Sequence, residues 1–218
     1  MYLSRVALDI TKRAAMLALQ NPSMLHGAVE RAFEPRAGRT LWRIDQLAGK
    51  RYLLLLSEEK PDLTGITEQF GEVGTAETRD YAPLLARIRE GSQWQFRLCA
   101  NPTYSTARDG KRGKVHACTL VQMPEQAGEN APMLKTQMGW IQQQAERNGF
   151  RVAEDEVRVT HMQWYSFAKK TGERVKLLSV TYEGRLTVVD AEKFRKAMTE
   201  GIGRGKAYGM GLLTVIRG

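Results

Sequence analysis

Three histidines, His26, His116 and His161, are the side chains of this sequence that exchange protons near neutral pH. His26 follows Leu25 and stands at the edge of an apolar helical face, within reach of both core and solvent. Ser23 lies three residues before it and Glu30 four after, so both are its neighbours on the helix surface. An imidazole so placed suits general acid–base transfer. By position alone, a boundary histidine packed against the core is the commoner case. Metal chemistry is poorly supplied. His116 and Cys118 are the only close His/Cys pair, Cys99 stands apart, and no second pair completes a zinc set. No carboxylate cluster suits a two-metal site, and no Gly-x-Ser-x-Gly elbow offers a serine nucleophile.

The segment 201–211 holds five glycines in eleven residues. Gly203 and Gly205 let the backbone approach a ligand, Arg204 and Lys206 add positive charge, and Tyr208 offers a ring for base stacking. It is not a P-loop, because no Gly-Lys-Ser/Thr follows. A flexible helix-to-strand connection is the plainer alternative, but that needs only one or two glycines. A turn at Thr171-Gly172 presents Lys169, Lys170, Arg174 and Lys176, a basic ribbon of the kind that enters nucleic-acid grooves. Arg108, Lys111, Arg112 and Lys114 form another basic cluster. Each cluster is equally compatible with a solvated surface.

These residues need elements to hold them. Tyr2–Leu8 reads as a strand, and Thr11 as the cap of a short helix through Gln20. Asn21-Pro22 is a helix start, followed by Leu25, Ala28, Val29, Ala32 and Phe33 on one face. Leu41–Asp45 and Arg51–Leu56 pair across an Ala48-Gly49 turn. Short helices are expected near 63–70 and 82–90. Trp94, Phe96 and Leu98 alternate as a strand; 101–131 reads mostly as loop; Leu134, Met138, Ile141 and Ala145 have helical spacing before Gly149. Strands are expected at 150–160, 162–168, 175–182 and 185–189, with turns at Thr171-Gly172 and Glu183-Gly184. Asp190 caps a helix that Gly201 ends, and Leu212–Ile216 is a last strand. The order β-α-β-β-α-β thus appears twice. The expected fold is α+β: two tandem ferredoxin-like (RRM-like) domains, 1–91 and 92–218, with an extra basic β-hairpin in the second.

The chain has 218 residues and a net charge of +9. Residues 1–100 hold 14 basic and 12 acidic side chains, while 101–218 hold 19 and 12. The excess therefore sits in the second half, as suits a polyanionic partner. The longest aliphatic run, Leu53–Leu56, is far short of the ~20 residues that span a bilayer. Arg5, Asp9, Lys12 and Arg13 interrupt any signal-peptide core, and two cysteines make no disulfide framework. A soluble cytoplasmic protein with no membrane association is the expectation.

Five stretches stand out together: Met1-Tyr2-Leu3-Ser4-Arg5-Val6, the Leu25-His26 step, Phe96-Arg97-Leu98-Cys99-Ala100-Asn101-Pro102, Tyr182-Glu183-Gly184-Arg185-Leu186 and Gly201–Leu213. In combination they resemble the CasE family, the CRISPR-RNA endoribonuclease of the type I-E Cascade complex. They occur in the family's order and cover essentially the whole chain. The glycine-rich loop alone is shared with the wider RAMP superfamily. The resemblance implies cleavage of precursor CRISPR RNA at the 3′ base of the repeat stem-loop, without metal or cofactor. In that reaction the 2′-hydroxyl attacks the adjacent phosphate and leaves a cyclic phosphate. It also implies retention of the hairpin, association with the other Cascade subunits, and a monomer when alone. His26 matches the family's catalytic histidine, and Arg31 a basic position suited to phosphorane charge. Ser23 stands where some relatives carry tyrosine and is the third catalytic candidate, in support of His26, since its shorter hydroxyl still donates a hydrogen bond. RNA binding is implied for Arg204 and Lys206, and for Lys169, Lys170 and Arg174. Two other readings remain at this point: a non-catalytic RNA-hairpin-binding subunit of the same fold, and a metabolic enzyme holding a small phosphorylated ligand at 201–211.

Overall fold

The computed structural model describes residues 1–33, 38, 40–106, 113–122, 136–168 and 171–217. In the first half, β1 (Tyr2–Ala7) leads to helices α1 (Arg13–Gln20) and α2 (Pro22–Arg31). Then come β2 (Leu41–Leu47), β3 (Lys50–Ser57), α3 (Thr64–Phe70), β4 (Glu77–Asp80) and the single turn α4 (Ala82–Leu85). The strands form one antiparallel sheet in the order β4-β1-β3-β2, which is what a β-α-β-β-α-β chain produces.

The second half repeats that order. β5 (Gln93–Ala100) is followed by a small hairpin, β6 (Thr103–Ser105) and β7 (Val115–Ala117). Next are α5 (Gln137–Arg147), β8 (Phe150–Arg151), β9 (Val157–Ala168), β10 (Arg174–Val188), α6 (Ala191–Glu200) and β11 (Leu213–Ile216). The sheet order is β11-β5-β10-β8, with β9 also paired to β10. The chain is therefore α+β, and the basic hairpin is the outer end of β9 and β10.

Strand periodicity explains where the cores lie. In β3, Leu53 and Leu55 point to a core shared with Val6, Leu25, Val29, Trp42, Ile66 and Phe70. Leu54 and Leu56 point the other way and join Leu41 in a second core with Phe96, Leu98, Tyr182, Phe194 and Leu213. The four-leucine run is a strand covered on both faces. It packs the first sheet onto the second half.

Asn21 caps α2 as expected: its Oδ1 accepts from the Ser23 N–H at 3.2 Å, and Pro22 takes the first helical position. Ala48 and Gly49, both at positive φ, make the tight turn between β2 and β3. Other details differ from expectation. Thr11 does not cap α1; its hydroxyl donates to Asp9 Oδ1 at 2.6 Å, and Lys12 occupies the cap position. β4 was not expected, because Glu77–Asp80 carries almost no apolar signal, and the helix expected over 82–90 is a single turn. The strand expected at 150–160 breaks at a 3-10 turn, Glu154–Glu156, and β9 then runs unbroken past residue 161. Glu183-Gly184 is not a turn but lies inside β10, opposite β5. The glycine serves close approach instead, since a Cβ on Gly184 would run into the Glu156 carbonyl oxygen.

Candidate functional site

α2 presents His26 half-buried, with its Nε2 3.5 Å from Glu30 Oε1 one turn along the helix. The other side of the site comes from the glycine-rich loop. Gly201, Gly203, Gly205, Gly209 and Gly211 all have positive φ. The loop closes on itself where the Ile202 N–H donates to the Gly211 carbonyl at 2.9 Å. Gly205 and Gly209 flank a 3-10 turn, Lys206–Tyr208, which carries the Tyr208 ring to His26. Their centroids lie 6.1 Å apart, edge to face. Phe167 of β9 meets Tyr208 from a further side at 5.0 Å, again edge to face. Three aromatic rings thus join helix α2, the glycine-rich loop and the outer end of the β9–β10 hairpin.

The glycines have a packing reason. A Cβ on Gly209 would lie 2.6 Å from the Trp42 ring, and one on Gly203 would lie 3.0 Å from Trp140. The loop is wound tightly against two tryptophans.

β2 fixes the two halves around this site. Trp42 faces the α2 core and supports Gly209. Next to it, the fully buried Arg43 donates to the Leu212 carbonyl at 2.7 Å, the Arg97 carbonyl at 2.8 Å and Thr214 Oγ1 at 2.8 Å. Asp45, two residues on and therefore on the same strand face, takes the rest of the guanidinium at 2.6 and 2.7 Å. Every partner outside β2 belongs to β5, β11 or the residue before β11, so this cluster sets where His26 stands relative to Tyr208.

The other expected residues fall as follows. The Ser23 hydroxyl donates to Asn21 Oδ1 at 2.6 Å, inside the helix cap. Arg31 is bonded to Gln69 of α3 at 3.4 Å, and its guanidinium folds back beside Gly27. Arg204 is exposed and its backbone bridges to Asn101. Lys206 Nζ donates to the Glu200 carbonyl at 2.7 Å, finishing the end of α6. Arg174 is exposed where β10 begins, one residue from the Val175–Phe167 pair. Lys169, Lys170, Lys111, Arg112 and Arg108 lie outside the described residues. Sequence reasoning did not single out Phe167, Trp42 or Arg43 for the site. The Arg43-x-Asp45 spacing in a strand was the one available signal, since it puts opposite charges on a single face.

His116 stacks on Tyr104 at 5.3 Å, and His161 lies 3.4 Å from Gln163 Oε1, so neither joins His26. Cys118, beside His116 in sequence, is buried, and burial pushes its thiol up to about 11. Among the described residues, no three His, Cys, Asp or Glu side chains converge to hold a metal ion. Nor is any helix among them long and apolar enough to cross a membrane. A wide cleft opens elsewhere, between the two sheets, lined by Arg5, Glu77, Arg97, Glu183 and Arg185. Its charges are largely paired with one another, and it contains no histidine.

Comparison with known proteins finds named relatives and similar solved structures. The CRISPR-associated endoribonuclease Cse3 of Thermus thermophilus is 29% identical over 230 residues, 99% of each chain. The CRISPR system Cascade subunit CasE of Escherichia coli is 29% identical over 135 residues, 59% of this chain and 60% of that protein. The structure of Thermus thermophilus Cse3 bound to an RNA representing a pre-cleavage complex superposes with a TM-score of 0.73 at 27% identity, covering 99% of this chain and 98% of the other. Residues 1–217 match the model of the CRISPR-associated protein family, and the chain belongs to that family.

Proposed function

We propose that this protein is the CRISPR-associated endoribonuclease that cuts precursor CRISPR RNA at the 3′ base of the repeat stem-loop. It then keeps the product hairpin as a subunit of Cascade. The observation that carries the reading is His26: a half-exposed imidazole held between Glu30 and Tyr208, at the meeting point of α2 and the glycine-rich loop. The full-length similarity to Cse3, a named endoribonuclease, supports the same conclusion. The similarity to CasE, a named Cascade subunit, supports the assembly.

The chemistry follows from RNA itself. The 2′-hydroxyl oxygen attacks phosphorus, the P–O5′ bond breaks, and a 2′,3′-cyclic phosphate and a 5′-hydroxyl result. His26 moves a proton in this exchange, help typically worth ~10²–10⁴-fold in rate. No metal is required by that scheme. Arg31, five residues beyond His26 at the end of α2, supplies positive charge for the phosphorane, and Ser23 supports the helix start on which the imidazole rests. Arg174, Lys169, Lys170, Lys111 and Arg112 hold the RNA backbone, as does the loop with Gly203, Arg204, Gly205, Lys206 and Tyr208. In this reading residues 1–91 carry the histidine and residues 92–218 the RNA-binding elements. The protein works in the cytoplasm, where its substrate is made, and is a monomer until it joins its partners.

The test uses purified protein, the stem-loop repeat RNA of its own genome, EDTA, and the His26→Ala variant. A single cut at the stem base with a cyclic phosphate end, lost in the variant, is the expected result. Equal cleavage by the variant removes His26 from the mechanism. A second reading, a non-catalytic hairpin-binding subunit, is favoured by one observation: Ser23 and Arg31 are bonded to Asn21 and Gln69, not to His26. Tight binding with no cut by the parent protein selects it.

A further inference from the structure

Strand cleavage by a 2′-hydroxyl needs two proton movements. One proton leaves the attacking O2′ and one arrives on the departing O5′. In-line attack places these oxygens on opposite sides of phosphorus, so one imidazole does not serve both without swinging across the site. A second proton donor beside His26 is therefore a chemical requirement for full acid–base assistance.

The residues around His26 narrow the choice. Ser23 commits its proton to Asn21 Oδ1. Glu30, at 3.5 Å from Nε2, is an acceptor that orients the ring. Lys206, in the same turn as Tyr208, is bound to the end of α6. Tyr208 remains. Its ring is fixed between His26 and Phe167, 6.1 and 5.0 Å away. Its hydroxyl has no hydrogen-bond partner among the described residues and is not enclosed. A rigid phenol with a free O–H, next to the proton-transfer histidine, is a pre-organised donor.

We propose that Tyr208 is a second catalytic residue, donating its phenolic proton to the departing O5′ while His26 accepts the proton of the attacking 2′-hydroxyl. The O2′–P bond forms and the P–O5′ bond breaks. The phenolate then regains a proton from the neighbouring imidazolium through solvent, so the pair is reset with no other reactant. This assignment rests on the endoribonuclease reading above. It gives the tight loop a purpose, because the Gly205–Gly209 turn holds the phenol against α2.

The experiment compares parent, Tyr208→Phe and His26→Ala under single turnover with protein saturating over RNA. Two stem-loop RNAs are used, one normal and one with sulfur replacing the bridging O5′ at the scissile bond. A thiolate leaves without a proton, since a thiol ionises near pH 8.5, far below an alcohol. Tyr208→Phe keeps the ring contacts and removes only the hydroxyl. We expect it to be slowed about 10²-fold on normal RNA and to recover to within a few-fold of parent on the sulfur RNA. His26→Ala stays slow on both. Parental speed of Tyr208→Phe on normal RNA overturns the assignment, as does an equal loss on both RNAs. Rescue of His26→Ala instead reverses the roles and also overturns it. Failure of the parent to cut either RNA overturns the endoribonuclease reading, and this proposal with it.

Discussion

The guanidinium of Arg43 in β2 donates to the carbonyl of Leu212, 169 residues later and just before β11, at 2.7 Å. One buried side chain thereby pins the first sheet to the strand that follows the glycine-rich loop. Removing one partner of a buried, fully bonded ion pair typically costs about 3–5 kcal/mol, because the other charge is stranded. Arg43→Met should lower unfolding stability by that order, read from the urea midpoint at unchanged slope. Adding Asp45→Leu should recover part of the loss, because it removes a buried carboxylate left with only Arg97, 3.4 Å away. A parental midpoint for Arg43→Met would show that the apolar contacts of Leu41, Leu54 and Leu56 hold the halves together unaided.

Gly209 and Gly172 have nearly the same backbone, at φ 80° and 82°, but different surroundings. A methyl group on Gly209 meets the Trp42 ring, while one on Gly172 meets nothing within 4 Å. Each alanine substitution carries the left-handed backbone penalty of about 1–2 kcal/mol. Only Gly209→Ala adds a clash with a buried tryptophan. Thermal unfolding should therefore fall further for Gly209→Ala than for Gly172→Ala. Cleavage should fall with it, because the displaced turn moves Tyr208 from His26. Equal melting temperatures would mean that Trp42 yields at no cost.

Arg174 is exposed beside the hairpin pair that carries Phe167, with Lys169 and Lys170 next in the chain. If these cations neutralise phosphates of the RNA stem, each one removed should reduce the salt slope of log K by about 0.9, the duplex value. Arg174→Ala should show this in titrations from low to high salt. The Lys169→Ala/Lys170→Ala double variant should show about twice the change. Their single-turnover rates at saturating protein should stay near parental, since none of them touches the reacting atoms. An unchanged slope would return the hairpin to an ordinary solvated surface.

Much of the fold was legible because local rules and burial agreed. The Asn21-Pro22 start, the Ala48-Gly49 turn, the Asp190 cap of α6 and the Leu53–Leu56 strand each follow from short-range chemistry. β4 was not legible. Glu77–Asp80 carries almost no apolar signal, and pairing with β1 alone makes it a strand. Gly184 misled for a related reason: it reads as a turn residue, yet its smallness admits the Glu156 carbonyl across β10.

The site divides in the same way. By itself the sequence determined that His26 lies on the edge of an amphipathic helix, that 201–211 is a glycine-rich basic loop, and that the second half carries the excess charge. These are properties of composition and short spacing. Only the tertiary structure decided that Tyr208 stands against His26, that Phe167 backs Tyr208, and that Ser23 and Arg31 are bonded elsewhere. The His26–Tyr208 contact joins residues more than a hundred positions apart. It depends on how the two sheets dock through Leu41, Trp42 and Arg43, and no periodicity within a single element encodes that docking.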